Sequence, residues 1–177
     1  MNIFVLSSDV DECAKLHCDK HVVKMIVEYA QLLSTAHRLL DGTQVTEKSK
    51  SGRNVKRWIL SDSRNSLIYN ATHYNHPCAV WTRQSSENYK WLVKLFSNLL
   101  AEYEHRYKKI HATSRLLNTL SDLPNNIQIG DITEFTQCMP KEYHSFDPVI
   151  AYRLFYINEK KNFAKYTDRQ YPDFLLY

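Results

Sequence analysis

From Val10 to Leu40 the chain contains neither glycine nor proline, and its apolar residues recur at helical spacing. Such a stretch commits the molecule to a long helix, because the two residues that interrupt helices most strongly are absent. Ser7 and Ser8, followed by Asp9, Asp11 and Glu12, supply the start, since acids there complement the free amides and the helix dipole. Asp41-Gly42 supplies the stop. At about 100° per residue, His17, His21, Lys24, Glu28, Gln31 and Thr35 fall within roughly an 80° arc. Val22, Ile26, Ala30, Leu33 and Leu40 point elsewhere. A face that is merely solvated is normally Lys, Glu and Arg. Two imidazoles, one carboxylate and neutral hydrogen-bonding groups suit proton transfer and polar recognition, or else a partly buried polar seam satisfied by other helices.

The remaining segments extend the helical reading. Residues 2–6 are apolar and read as extended, tucking the N-terminus into the body. The segment 41–55 is polar without an apolar period and reads as a loop, followed by a short helical stretch holding Val55, Trp58, Ile59 and Leu60. Residues 61–82 read as irregular, with 72–77 a rigid turn in which Pro77 biases His76 towards an extended backbone. A second long helix is predicted from about Ser85 to Lys108, with Tyr89, Leu92, Val93, Phe96, Leu99, Leu100 and Tyr103 on its apolar face. A short helix around Ser114–Leu120 and a loop over 122–147 follow. The last helix starts at Asp147 as N-cap, with Pro148 at the first helical position. Strand alternation and internal repeats are absent. With 177 residues, the chain suits one domain that buries near ~70% of its surface. The expected fold is mainly α: a compact single-domain helical bundle over residues 1–177, with two long helices, a C-terminal helix and long loops.

The net charge of +4 is a mild excess, compatible with a polyanion but not diagnostic of one. Its distribution says more: Lys48, Lys50, Arg53, Lys56 and Arg57 crowd one short segment. That segment reads either as a solvated loop or as a phosphate-contacting one. Trp58, just beyond, reads as core or as an aromatic that stacks on an extruded base. Four cysteines (Cys13, Cys18, Cys78, Cys138) form no C-x-x-C pair. No apolar run approaches the ~18 residues of a membrane span, so no membrane partner is expected. These features point to a soluble protein with free thiols in a reducing cytosol. Cys13, His17 and His21 stand at i, i+4, i+8 and offer a metal reading, that of a metal-dependent hydrolase. Structural zinc sites more commonly combine short ligand pairs from separate segments, so no metal is expected there.

The opening Met-Asn-Ile-Phe and the run from Cys18 to Leu33 (CDKHVVKMIVEYAQLL) resemble the first helix of pyrimidine-dimer DNA glycosylases of the phage endonuclease V type. Tyr74-Asn75-His76-Pro77-Cys78-Ala79-Val80-Trp81 is similar to the Asn-His-Pro turn of bacterial members. Glu102-Tyr103-Glu104-His105-Arg106-Tyr107 resembles the end of their next helix. Order and spacing agree over roughly residues 1–110, and Glu159-Lys160 falls where the family carries a Glu-Lys pair in its last helix. The resemblance implies a small, all-helical, monomeric enzyme without metal or cofactor that grips double-stranded DNA and breaks an N-glycosidic bond. It also implies phage proteins as close relatives, and the cytoplasm of a bacterial or phage-infected cell as the compartment.

In the family the catalytic carboxylate is a glutamate seven residues after a histidine on the first helix, a spacing that His21 and Glu28 reproduce. The resemblance therefore implies Glu28 as the catalytic carboxylate and His21 as the residue that positions DNA or the opened sugar, with Lys24 and Gln31 contacting phosphate or base. Lys48, Lys50, Arg53, Lys56, Arg57, Asn75, His76, Arg153 and Lys160 are further candidate DNA contacts. Two departures stand out. The family's best-known members attack with the amine of an N-terminal Thr exposed by Met removal, whereas residue 2 here is Asn2, too large for efficient removal. The nucleophile implied is then the amine of Met1, which still forms an imine with C1′. Further, the phosphate-gripping arginines of the family's first helix are replaced by Val27 and Gln31, so dimer specificity does not carry over. The competing reading is a non-catalytic protein of the same fold that binds nucleic acid or a nucleotide.

Overall fold

The computed structural model describes residues 1–176. It is mainly helical, at 54%, with seven α-helices and one two-stranded hairpin among the described residues. The predicted first helix is two. Helix α1 spans Val10–Leu16 and α2 spans Asp19–Asp41, with His17 and Cys18 extended between them. The break is imposed from a distance. The Arg106 guanidinium, fully buried, donates to the carbonyls of Lys15 (2.9 Å) and His17 (2.8 Å) and to Asp19 Oδ1 (3.0 Å). Carbonyls that end a helix need partners, and Arg106 supplies them where α1 stops. Val22, Ile26, Tyr29 and Leu33 of α2 have no exposed surface and form the centre of the core.

The polar segment after α2 is an antiparallel hairpin, β1 (Thr43–Lys48) and β2 (Asn54–Ile59), registered Val45↔Arg57 and Lys48↔Asn54. This corrects both the loop over 41–55 and the helical stretch after it. The strands are mostly exposed on both faces, so no apolar alternation was needed to form them. Its tip turns at Gly52 (φ 78°), a left-handed conformation that glycine adopts without strain. Trp58 is the buried anchor, 8% exposed and edge-on to Tyr74.

Residues 61–82 are also more ordered than expected. Helix α3 (Arg64–Leu67) and helix α4 (Pro77–Gln84) lie here. Arg38 of α2 organises the approach to them by donating to the carbonyls of Trp58, Asn65, Ile68 and Tyr69. The 72–77 turn is the start of α4: His76 is its N-cap and Pro77 occupies the first turn.

Helix α5 (Ser86–Tyr107) matches the second long helix, capped by Ser85 and ended by Lys108 in a left-handed conformation. It packs along α2 and against α1 and α4. A 3₁₀ turn (Ala112–Leu116) leads into α6 (Leu117–Ser121), and α7 (Pro148–Glu159) starts at the Asp147 cap as expected. Between them the loop over 122–147 is fastened as a strap. Asn125 and Asn126 backbone amides donate to Asp41, Ser85 donates to the Asp131 carbonyl, and Asn88 bonds Thr133. Among the described residues, no helix is long and apolar enough to cross a membrane.

Candidate active site

The first residues of the chain reach the polar face of α2. Ile3, Phe4, Val5 and Leu6 are buried, and their amides find unusual acceptors. Ile3 donates to Cys78 Sγ (3.4 Å), Phe4 to Tyr29 Oη (3.1 Å) and Leu6 to Cys13 Sγ (3.4 Å). An apolar segment with this many side-chain partners has a fixed course. It delivers the Met1 amine to 3.3 Å from Glu28 Oε2.

Lys24, one turn before Glu28 on α2, lies 3.1 Å from the other carboxylate oxygen. Glu28 thus stands between two cations of different character. Its own side chain is 14% exposed and that of Lys24 is 68% exposed. The amine side of the pair is enclosed and the lysine side open. Together they border a cleft of about 190 Å³ whose other walls include Phe4, His21, Phe155 and Lys160.

His21 is held rather than free. One ring nitrogen bonds the Tyr156 hydroxyl, and the ring stacks on Phe4 at 4.5 Å and 29°. Burial pushes its pKa down to about 3, with His17, Lys160 and Lys24 adding repulsion. His21 is therefore a neutral hydrogen-bonding group at physiological pH, suited to orienting a sugar rather than to gripping phosphate by charge. Lys160 supplies charge on that side, with its ammonium 4.6 Å from the Phe155 ring centroid.

Asn2 anchors the residue after the amine by donating to the Cys138 carbonyl at 2.8 Å. His76 accepts the Cys78 amide at 3.2 Å as the cap of α4. Its pKa is lowered by burial first, then by the Met1 amine and His73, while Glu28 opposes them. His76 thus shares the electrostatic environment of the amine and Glu28. Asn75 beside it is exposed.

The six-residue stripe therefore divides. His17 is off the face because the helix breaks there. It is fully buried, with its ring nitrogens on the Cys13 carbonyl (2.8 Å) and Tyr29 Oη (3.1 Å). Thr35 fastens the approach to the turn, accepting from the Thr72 amide (3.2 Å) and donating to its carbonyl (3.3 Å). Gln31 is half-buried further along α2. Cys13, His17 and His21 do not converge, and His17 has no ring nitrogen to spare for a metal.

Arg153 is not at the cleft. It donates to the Leu6 carbonyl (2.8 Å), lies over the Phe174 ring (5.2 Å) and lines a different cavity with Glu12 and Tyr171. Arg153 and Lys160 therefore do not share the cleft: α7 ends at Glu159, and Lys160 caps it in a different backbone conformation. Lys48, Lys50, Arg53, Lys56 and Arg57 ride on the hairpin beyond the far end of α2. The thirteen residues from Glu28 to Asp41, at ~1.5 Å each, put its base roughly 20 Å away. Arg57 is 3.9 Å from Glu47, and the other four are exposed.

Phe4, Phe155, Tyr156 and Cys138 are parts of the site that sequence reasoning assigned to core or left aside. The aromatic residues sit at ordinary helical or extended apolar positions, which carry no sign of a cleft. A sequence model of the pyrimidine dimer DNA glycosylase family matches residues 1–115, well over half of the chain. The chain belongs to that family. Comparison with curated proteins and with solved structures gives no match. The matched span holds Met1, His21, Lys24, Glu28 and His76, whereas Cys138, Phe155, Tyr156 and Lys160 lie beyond it.

Proposed function

Starting from that membership, we propose that this chain excises damaged or modified pyrimidines from double-stranded DNA, with the Met1 amine as nucleophile and Glu28 as the catalytic carboxylate. The observation that carries this reading is the 3.3 Å approach of the amine to Glu28 inside a cleft that opens on the Lys24 side. In its unprotonated form the amine attacks the sugar C1′, and the base leaves with the electrons of the N-glycosidic bond. Glu28, as the carboxylate, stabilises positive charge on the sugar while the base leaves, and then takes the proton released from the nitrogen newly bonded to C1′. Glu28 returns that proton to O4′ as the C1′–O4′ bond breaks, and the nitrogen lone pair closes a protonated imine between the Met1 nitrogen and C1′.

The surrounding residues have positioning roles. Neutral His21, fixed by Tyr156 and Phe4, hydrogen-bonds the sugar. Lys24 and Lys160 attract the flanking phosphates, and Gln31 and Asn75 make polar contacts along the same face. The hairpin cations engage phosphates farther along the duplex, where each neutralised phosphate releases counterion and steepens the salt dependence.

Borohydride trapping on duplexes carrying dimerised, oxidised or otherwise modified pyrimidines tests the proposal. The expected result is a covalent adduct that maps to Met1 and is lost in Glu28→Gln. The absence of an adduct with every duplex, together with undiminished excision by Glu28→Gln, would falsify it. The same gels report whether strand cleavage follows excision.

A further inference from the structure

Behind the amine lies a second cluster that the glycosylase chemistry does not use. His76, Cys78 and Cys138 bring one ligand atom each within 4.8 Å of one another, and among the described residues they form the one such group of His, Cys, Asp or Glu. The two sulfurs are 3.4 Å apart, and both cysteines are free. We propose that these three residues bind one zinc ion, which clamps the strap to the start of α4 and thereby fixes the N-terminal segment.

The geometry suits zinc. Zn–S bonds of ~2.3 Å and Zn–N bonds of ~2.0–2.1 Å in a tetrahedron hold two sulfurs roughly 3.8 Å apart and a sulfur and a nitrogen roughly 3.6 Å apart. The sulfurs stand at 3.4 Å, a few tenths of an ångström short of that separation and far beyond the ~2.05 Å of a disulfide. His76 spends Nδ1 on the Cys78 amide at 3.2 Å, which leaves Nε2 as its ligand atom, and the half-buried ring has to move towards the sulfurs to close the third side. Two thiolates and an imidazole are a soft donor set that selects zinc over hard cations such as magnesium or calcium.

Cys78 is in the first turn of α4, where the helix dipole favours negative sulfur; the neighbouring Cys138 thiol and burial act the other way, and zinc supplies the charge that displaces the proton. The Ile3 amide already donates to its Sγ at 3.4 Å, the kind of outer contact that orients a metal ligand. The ligands come from two elements, His76 and Cys78 at the start of α4 and Cys138 sixty residues later on the strap, so one ion would tie the two together. Three protein ligands leave the fourth position to water.

The clip has a specific consequence for the cleft. Asn2 is held by the Cys138 carbonyl and Ile3 by the Cys78 sulfur. Both residues that follow the amine therefore hang on the proposed zinc ligands. The metal acts as a positioning device, and the site stands independently of the glycosylase reading because its test contains no DNA.

The full chain, purified under reducing conditions without chelator, is loaded with zinc, gel-filtered and assayed for metal by mass spectrometry. One zinc per chain is expected, with Cys78 and Cys138 protected from alkylation by iodoacetamide while Cys13 and Cys18 are unaffected by the metal. Cobalt substitution should give a thiolate-to-metal charge-transfer band that falls by about half in Cys138→Ser, with zinc affinity lowered at least ~100-fold in a chromophoric-chelator competition. Substoichiometric metal in the loaded wild type overturns the proposal whether or not any variant folds. So does peroxide-driven formation of a Cys78–Cys138 disulfide that proceeds equally with and without zinc, since a metal-held pair is shielded from oxidation.

Discussion

Two ion clusters flank α2, and they are built to opposite ends. Around Arg106 the guanidinium has no exposed surface, and Asp19, Glu102 and two backbone carbonyls take up its donors. Glu102 is in turn bridged by Arg169 at 2.6 Å. Burial pushes the Glu102 carboxyl up, and the hydrogen bonds and charges of Arg169 and Arg106 more than reverse it. Around Glu28 the partners are an enclosed amine and a lysine that is mostly in solvent. The first cluster is saturated and locks a helix junction. The second has spare hydrogen-bonding capacity and opens on a cleft. A buried charge with every partner in place resists change, whereas one with an exchangeable partner is available to a ligand.

That contrast can be broken most directly at its rigid end. Arg106→Met leaves Asp19 and Glu102 short of their buried partner, and a loss of about 3–5 kcal/mol in urea unfolding is expected. A loss below about 1 kcal/mol would show that the junction does not depend on this residue. At the reactive end, Glu28→Gln should lower single-turnover excision by about 100-fold to 10⁴-fold with little change in urea midpoint. A large drop in stability instead would place Glu28 with the structural cluster.

Protonation separates the regions less sharply, because each contains a buried histidine. His17 is depressed to about 4 and His21 to about 3, both mainly by burial. A depressed pKa means that the unfolded chain takes up the proton first. Stability is thus full above the unfolded value near ~6.5 and falls as pH drops from there through the folded values. Unfolding free energies from urea titrations should decline between pH 7 and pH 4.5, by an amount on the order of a few kcal/mol. A His21→Asn variant that keeps the whole decline would remove His21 from it. The smallest effect is expected on the hairpin. Lys50→Ala and Arg53→Ala should each reduce the salt slope of DNA binding by about one and leave excision at saturating DNA unaltered. An unchanged slope would detach the hairpin from the duplex.

The helices α5 and α7 and the Glu28 face of α2 were legible because their signals are local: caps at Ser85 and Asp147, and residues spaced by turns. The α1–α2 break was not, since nothing in Leu16-His17-Cys18 interrupts a helix. Its cause is Arg106, far along the chain. The hairpin escaped for a different reason. Both faces are solvated and β1 contains one apolar residue, Val45, so no period-2 pattern was written; Gly52 at the tip was the usable cue. In the site, Glu28, Lys24 and the amine could be read from spacing and family resemblance. The aromatic wall of Phe4 and Phe155, and Tyr156 buried behind His21, could not, because such residues look like core.

The cleft draws its walls from opposite ends of the sequence, and this has a consequence for how the protein comes off the ribosome. Phe4 and the amine are made first, while Phe155, Tyr156 and Lys160 follow some 150 residues later. At about 5–20 residues per second, the nascent chain spends several seconds with Glu28 formed and one wall missing. The complete cleft therefore exists only after α7 has been made and packed, when α2 and α5 are already in place to receive it.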